Sequence, residues 1–335
     1  MKNINLSVDG GGTSLRIIAF DDDLKLVAQS GSGSVNPNYE SAEKINENIS
    51  EAVKLLLANL NADFKIKNIY ETIIGPVGLF NEVLTRESGS MTEGASFHSI
   101  NEGHSHLFAA SLGDKGGVAL AGTGSVAVYC NKSEIIHIGG YGIPIGDEGS
   151  GAWIGIQGIS AAIKYLNGWG EKTALADKLF TYLNIDAQKS LLRALYRPDI
   201  SRRGLQAGFC RYVAECERAG DKIAKDIIYS AGRNMGLQMI SILQRAENKK
   251  ILESPLIIYA SGGAWKGTPY MLEAMAETIR GVYPGAVCKH GLFDPVVAGA
   301  VKFIFDETGE YKISDQYKEH LKKEFKDYLV KFNEY

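Results

Sequence analysis

A chain of 335 residues, 45% of them hydrophobic and 22% charged, has the balance of a globular protein and length enough for two domains. A formal charge of −3 and a pI near 6.1 leave no basic footprint for nucleic acid, and neither a polybasic run nor a bilayer-length apolar run points to a membrane. The N-terminus lacks a signal-peptide pattern and the four cysteines show no CxxC spacing, so the chain reads as cytoplasmic, with buried, reduced thiols.

Apolar runs at Ile4 to Val8 and Leu15 to Phe20 flank Asp9-Gly10-Gly11-Gly12-Thr13-Ser14, a pattern that predicts a hairpin. Two readings of its glycines stay open. They supply φ > 0 in a tight turn, or they bare backbone N–H groups to an anion, with Thr13 donating to a phosphate oxygen and Asp9 holding a hydrated cation. Leu26 to Ser30 completes a meander, and the polar loop from Gly31 to Asn38 follows. Ser41 caps a helix that carries Ile45, Ile49, Val53, Leu56, Leu57 and Leu60 at helical spacing. A buried strand from Tyr70 to Ile74, a short helical or irregular stretch, and a strand from Ser96 to Ile100 come next. Asn101 then caps a helix from Glu102 to Leu112.

The opening device then recurs, as a strand from Val118 to Ala121, the turn Gly122-Thr123-Gly124-Ser125, and a strand to Tyr129. Two such hairpins about a hundred residues apart indicate a duplicated α/β domain. A strand from Ser133 leads into the glycine-dense loop Gly139 to Gly151, and a helix follows from Ala152 to Leu166. Helical segments run on to Leu243 as an insertion between sheet elements. Pro255 to Ala260 is a buried strand, Ser261-Gly262-Gly263 a turn, and a helix begins at Thr268. Asp294-Pro295 starts another helix, and Gln316 to Phe332 reads as a charged amphipathic helix.

Asp9 to Thr13, Gly122 to Ser125, Gly146-Asp147-Glu148-Gly149-Ser150, Ser261 to Gly263, and Leu195-Tyr196-Arg197 with Ala207-Gly208-Phe209-Cys210-Arg211 stand in one order over nearly the whole chain. Together they resemble the N-acetylglucosamine kinase branch of the BadF-type ATPases, within the sugar kinase/actin/heat-shock-70 superfamily. The resemblance implies two duplicated ribonuclease H-like, actin-like ATPase lobes with a cleft between them. On this reading residues 1–116 form the first lobe and 117–312 the second with its insertion. Residues 313–335 form a terminal helix packed back on the first lobe, and the hinge lies near Leu112 to Gly117.

The resemblance also implies roles for residues. The turns Gly10, Gly11, Gly12, Thr13 and Gly122, Thr123, Gly124, Ser125 would hold ATP phosphates, with Asp9 near Mg²⁺. Ala207, Gly208, Gly262 and Gly263 would flank the adenosine. Asn36, Asn101, Gly140, Tyr141, Gly142 and Asp147 would hold the sugar, which needs short polar side chains around its hydroxyls. Where the family carries an aspartate as general base, this chain has Glu102, with the same chemistry and one more methylene. The alternative for Asn101 and Glu102 is a helix cap followed by a carboxylate that favours the helix's positive end.

His104 and His106, two residues apart on a helix, face different ways and do not suit one metal ion. Tyr141 stands where the animal kinases of this branch carry tryptophan, which leaves the C2 substituent of the sugar open. The expected reaction is phosphoryl transfer from MgATP to an amino sugar, N-acetylglucosamine at its 6-hydroxyl first, with N-acetylmuramic acid, glucosamine and glucose as alternatives. A homodimer is the implied assembly. Two other readings stand beside this one: an activator ATPase, for which the paired cluster-binding cysteines are missing, and a sugar sensor without catalysis.

Overall fold

The computed structural model describes residues 2–60, 63–131, 134–197 and 201–331. Ser133 and Phe332, expected as the start of a strand and the end of a helix, lie outside the described residues, as do residues 333–335 of the expected terminal segment.

The described chain divides into two compact units, one within residues 2–114 and 291–330, the other within residues 115–290. The first unit begins with β1 (Lys2–Gly10), β2 (Leu15–Asp21), β3 (Leu26–Ser32), α1 (Ala42–Ala58), β4 (Phe64–Ile73), α2 (Val77–Ser88), β5 (Ser96–Ser99) and α3 (Glu102–Ser111). Its sheet runs β3-β2-β1-β4-β5, antiparallel across the opening meander and parallel from β1 to β4 and β5. The apolar residues of β1 explain its central place. Ile4, Leu6 and Val8 pack in one core with Ile45, Ile49, Val53 and Leu56 of α1, the residues at helical spacing. Burial on this scale contributes roughly 1.5–3 kcal/mol per large aliphatic side chain.

The second unit contains β6 (Gly116–Ala121), β7 (Ser125–Cys130), β8 (Ile135–Gly139), α4 (Gly151–Leu166), α5 (Leu175–Leu183), α6 (Leu191–Leu195), α7 (Arg202–Arg218), α8 (Lys222–Asn248), β9 (Ile257–Ser261), α9 (Tyr270–Arg280) and β10 (Val287–His290). Its sheet runs β8-β7-β6-β9-β10, the same topology strand for strand, with the insertion α4 to α8 where the first unit has α1 alone. Within it α4 and α7 cross backbone to backbone. A Cβ at Gly155 would lie 1.7 Å from the carbonyl oxygen of Gln206, so the close approach requires glycine there. Trp265 is buried and donates from Nε1 to the carbonyl of Ala119 at 3.0 Å.

The chain then returns to the first unit with α10 (Ala298–Thr308) and α11 (Asp315–Glu324). Residues 291–312, expected in the second lobe, therefore belong with the first. Asp294 caps the turn Pro295–Val297, and the N–H of Gly299 donates to Ser7 Oγ of β1 at 2.9 Å. The expected helix from Gln316 to Phe332 is shorter than its pattern. It stops at Glu324, where Phe325 turns into the core beside Phe20. Beyond it the N–H of Asp294 donates to Tyr328 O and that of Val330 to Leu292 O, at 2.8 and 3.0 Å.

Two earlier segments also differ. β4 starts six residues before Tyr70, at Phe64, because Lys65 and Lys67 alternate outward from Ile66 and the strand's polar start hid its period. The stretch after Pro76 is a helix of 12 residues, α2, with Phe80, Val83 and Leu84 buried. All four cysteines are free, Cys130, Cys210 and Cys216 being buried. Among the described residues no helix is long and apolar enough to cross a membrane.

Candidate functional site

In the first unit the parallel strands and the meander end on one set of charges. Asp9, next to last on β1, meets Arg16 of β2, with Arg16 Nη2 to Asp9 Oδ2 at 2.5 Å. The other end of the same guanidinium meets Asp294, with Nη1 to Oδ1 at 2.5 Å. Burial raises the Asp9 carboxyl above its ordinary range, and Arg16 only partly opposes this. Arg16, flanked by two carboxylates, is held protonated more firmly than a free arginine. His106 of α3 faces this group, and its burial lowers its pKa to about 4, so it is neutral at pH 7.

Glu102 is the first residue of α3, half-buried, with Asn101 as the cap. Asn101 Oδ1 accepts from the N–H of Gly103 at 2.9 Å, as its capping role requires. Burial first, and then the negative charge of Asp9, raise the Glu102 carboxyl from 4.5 to about 7. A carboxylate poised near neutrality is suited to take a proton. The expected cap and the expected base thus occupy adjacent positions and do not exclude each other.

The turn Gly11 to Ser14 is closed by a bond from Gly11 N to Ser14 O at 3.0 Å. Thr13 is exposed at its tip. Neither Gly10, Gly11 nor Gly12 sits at positive φ, and the same holds for Gly122 and Gly124 of the second turn. Of the two readings open for Gly10, Gly11 and Gly12, the left-handed turn is therefore not the one found, and what these glycines share is the missing side chain. A Cβ at Gly11 or Gly122 would meet open space, so the backbone there is approachable. Asn36 is buried in the loop after β3; its Oδ1 accepts from the N–H of Asn38 at 2.9 Å, which fixes the amide and leaves Nδ2 as its donor.

In the second unit the predicted residues converge. The carbonyls of Gly122 and Thr123 accept from the N–H groups of Gly151 and Ala152 at 2.8 and 3.4 Å, which seats the turn on the start of α4, where Ser150 is the cap. Gly262 abuts the same turn, since a Cβ there would lie 2.4 Å from Ala121 O; Gly263 beyond it is exposed. The loop after β8 begins with the N–H of Gly140 donating to Ser125 O at 3.0 Å.

Asp147, buried and itself at φ +63°, accepts from the N–H of Gly142 at 3.3 Å and from that of Ser125. Burial raises its carboxyl, and those N–H groups pull the other way. Its Oδ2 lies 2.7 Å from where a Cβ of Gly124 would stand. Tyr141 and Ile145 of the same loop are 81% and 82% exposed, two apolar side chains available to a ligand's apolar edge. Ala207 lies in the second turn of α7, its carbonyl oxygen 3.9 Å from the Cβ position of Gly151. Gly208 has a packing reason of its own, because the Tyr182 hydroxyl fills its side-chain space.

Sequence reasoning missed three of these groups. Arg16 left a trace, a lone charge inside the apolar run Leu15 to Phe20. Asp294 shows in the sequence only as a cap, which it also is. Arg203, whose Nη2 donates to Asp147 Oδ2 at 3.2 Å, gave no signal at all. His104 stacks on Phe108 and is a packing residue. Among the described residues no cluster of three or more histidine, cysteine or acidic side chains has metal-binding geometry. Mg²⁺ needs less than that, since it keeps several waters and binds through one or two carboxylates plus phosphates. Asp9 fits such a role: it is a half-buried hard-oxygen donor whose Oδ2 alone is bonded to Arg16.

The sequence profile of the BadF/BadG/BcrA/BcrD ATPase family matches residues 6–303. The N-acetylmuramic acid/N-acetylglucosamine kinase of Clostridium acetobutylicum is 24% identical over 298 residues, covering 83% of this chain and 91% of that protein. The N-acetyl-D-glucosamine kinase of Dictyostelium discoideum is 22% identical over 312 residues, covering 90% and 97%. A solved structure from Porphyromonas gingivalis, assigned as a candidate N-acetylglucosamine kinase, superposes with a TM-score of 0.68 at 16% identity, over 90% of this chain and 99% of that one. At that identity the likeness shows a shared fold.

Proposed function

The chain belongs to the BadF/BadG/BcrA/BcrD ATPase family, and on that premise we propose that it transfers the γ-phosphoryl group of ATP to an amino sugar, N-acetylglucosamine at its 6-hydroxyl first. The observation that carries this reading is Glu102, a half-buried carboxylate whose pKa is raised to about 7 at the start of α3. In the proposed step Glu102 takes the proton of the sugar hydroxyl, whose oxygen bonds to Pγ. The bond from Pγ to the β,γ-bridging oxygen breaks, and ADP leaves with its electron pair. The backbone N–H groups of the two glycine turns, with Thr13 and Thr123, hold the phosphates. Mg²⁺, when bound beside Asp9, neutralises charge on the phosphates.

Asp147 and the amide of Asn36 orient the sugar hydroxyls, and Tyr141 lies along its apolar edge. Ala207, Gly208, Gly262 and Gly263 wall the adenosine. The names of the relatives support an amino sugar as acceptor, and the raised pKa of Glu102 favours catalysis over a sensor that merely binds. The test is ADP release from MgATP with N-acetylglucosamine, N-acetylmuramic acid, glucosamine and glucose in turn, the phosphorylated position being read by NMR of the product. Turnover fastest with N-acetylglucosamine is expected. Binding of sugar with no ADP formed from any of the four would overturn the proposal. A homodimer, the assembly proposed with this activity, is checked by sedimentation of the same preparation.

A further inference from the structure

The charge that sits on the second glycine turn is Arg203, the second residue of α7. Its Nη2 lies 2.7 Å from the Cβ position of Gly124, beside the Asp147 oxygen at the same distance. A side chain at 124 would thus have to displace this ion pair. The guanidinium meets Asp147 through one nitrogen at 3.2 Å, longer than the 2.7–2.9 Å typical of charge-assisted bonds. Asp147 itself is only 2% exposed along its side chain and is already supplied by backbone N–H groups from Gly142 and Ser125. Arg203 is 21% exposed and is the more accessible partner of the two. It stands one helical turn before Ala207, so both lie on one face of α7.

We propose that Arg203 is a nucleotide-phosphate ligand that rests on Asp147, so that sugar and nucleotide binding are linked through this one ion pair. The inference rests on the kinase reading for the roles of Asp147 and Ala207, and extends it to a residue outside that set. Sugar hydroxyls donating to Asp147 compete with Arg203 for its lone pairs and loosen the arginine's hold. A phosphate at the Gly122–Ser125 turn offers the guanidinium a bidentate partner of higher charge. Each substrate therefore strengthens the binding of the other, as linkage demands.

The experiment is calorimetric titration of the whole protein with the non-hydrolysable ATP analogue AMPPNP and Mg²⁺, with and without saturating N-acetylglucosamine, for wild type, Arg203→Met and Arg203→Lys. In the wild type the sugar should tighten AMPPNP binding about fivefold or more, within the usual range of coupling. Arg203→Met should weaken AMPPNP about tenfold, erase the sugar's effect, and raise the KM for ATP far more than it lowers kcat. Arg203→Lys, which keeps the charge and loses the fork, should recover part of the affinity and carry the test should the methionine variant not fold. Unchanged AMPPNP affinity and coupling in either folded variant would overturn the proposal, as would a loss confined to the sugar. Failure of the kinase reading looks different: no turnover in the wild type, while AMPPNP affinity still reports on Arg203.

Discussion

Replacing Glu102 by glutamine should make the protein more stable and nearly inactive at once, and the two effects share one cause. The carboxyl titrates near 7 in the folded chain against an ordinary 4.5, so the folded state binds this proton more tightly than the unfolded chain does. Below pH 4.5 both states hold the proton and the group is neutral to stability. As pH rises from 4.5 through 7 the unfolded chain releases its proton first, and the folded state loses ground. The gap corresponds to a penalty of up to about 3 kcal/mol above pH 8. Glu102→Gln has no charge to bury and nearly the same shape. Urea unfolding at pH 8 should therefore show a gain of about 2–3 kcal/mol, falling towards zero at pH 4.

Activity should move the other way. Loss of a general base costs roughly 10²- to 10⁴-fold in kcat. In the wild type, with both substrates well below saturation, the rate should fall about tenfold per unit below pH 7, as the base becomes protonated. Asp9 raises the Glu102 pKa through its charge, so Asp9→Asn should shift that limb to lower pH. A stability difference equal at pH 4 and pH 8 would show that Glu102 titrates normally. Turnover by Glu102→Gln within a few-fold of wild type would remove it from the base's role whatever its pKa.

Two further substitutions test the frame around the site. Arg16→Met leaves Asp9 and Asp294 facing each other without the cation between them. All three side chains are partly wet, so the expected loss is about 2 kcal/mol at pH 7, below the 3–5 kcal/mol of a fully buried pair. It should shrink as pH falls and Asp9, whose carboxyl burial raises above its ordinary range, protonates, and urea unfolding at pH 7 and pH 4 measures it. Gly155→Ala puts a methyl into the carbonyl of Gln206. Because backbone and not a flexible side chain stands in the way, the cost should reach or exceed about 3 kcal/mol, the upper end for overpacking, as a lowered Tm in thermal unfolding. An unchanged Tm would mean that α4 and α7 cross less closely than described.

What the sequence shows well is whatever its neighbours in the chain decide. The two meanders are short apolar runs around glycine turns, and the helices α1 and α3 announce themselves by Ser41 and Asn101, each of which caps as its type requires. Glu102 follows the second of these caps, and its candidacy as the base comes from the family resemblance. What it shows poorly depends on distant partners. Arg16 and Asp294 come together from opposite ends of the chain, and Arg203 reaches Asp147 across 56 residues. No periodicity within either segment encodes those meetings. The return of residues 291–330 to the first unit is hidden for the same reason. Asp294-Pro295 states where a helix starts and says nothing of which sheet it packs on.

The two glycine turns make the limit concrete. In sequence they are the same device, and in topology they join corresponding strands, β1 to β2 and β6 to β7. Their glycines nonetheless answer to different constraints. Gly11 has nothing within 4 Å of its Cβ position, whereas Gly124 has a guanidinium and a carboxylate at 2.7 Å. A methyl at 11 would obstruct only what comes from outside, and a methyl at 124 would displace Arg203 and Asp147. The charges differ as well: the first unit pairs Asp9 and Asp294 with one arginine and brings Glu102 within the influence of Asp9, while the second sets an arginine, paired with Asp147, directly on its turn. The two turns thus share one strand order, and the side chains arriving from elsewhere in each unit make one acidic, suited to a cation and a base, and place on the other a cation suited to an anion.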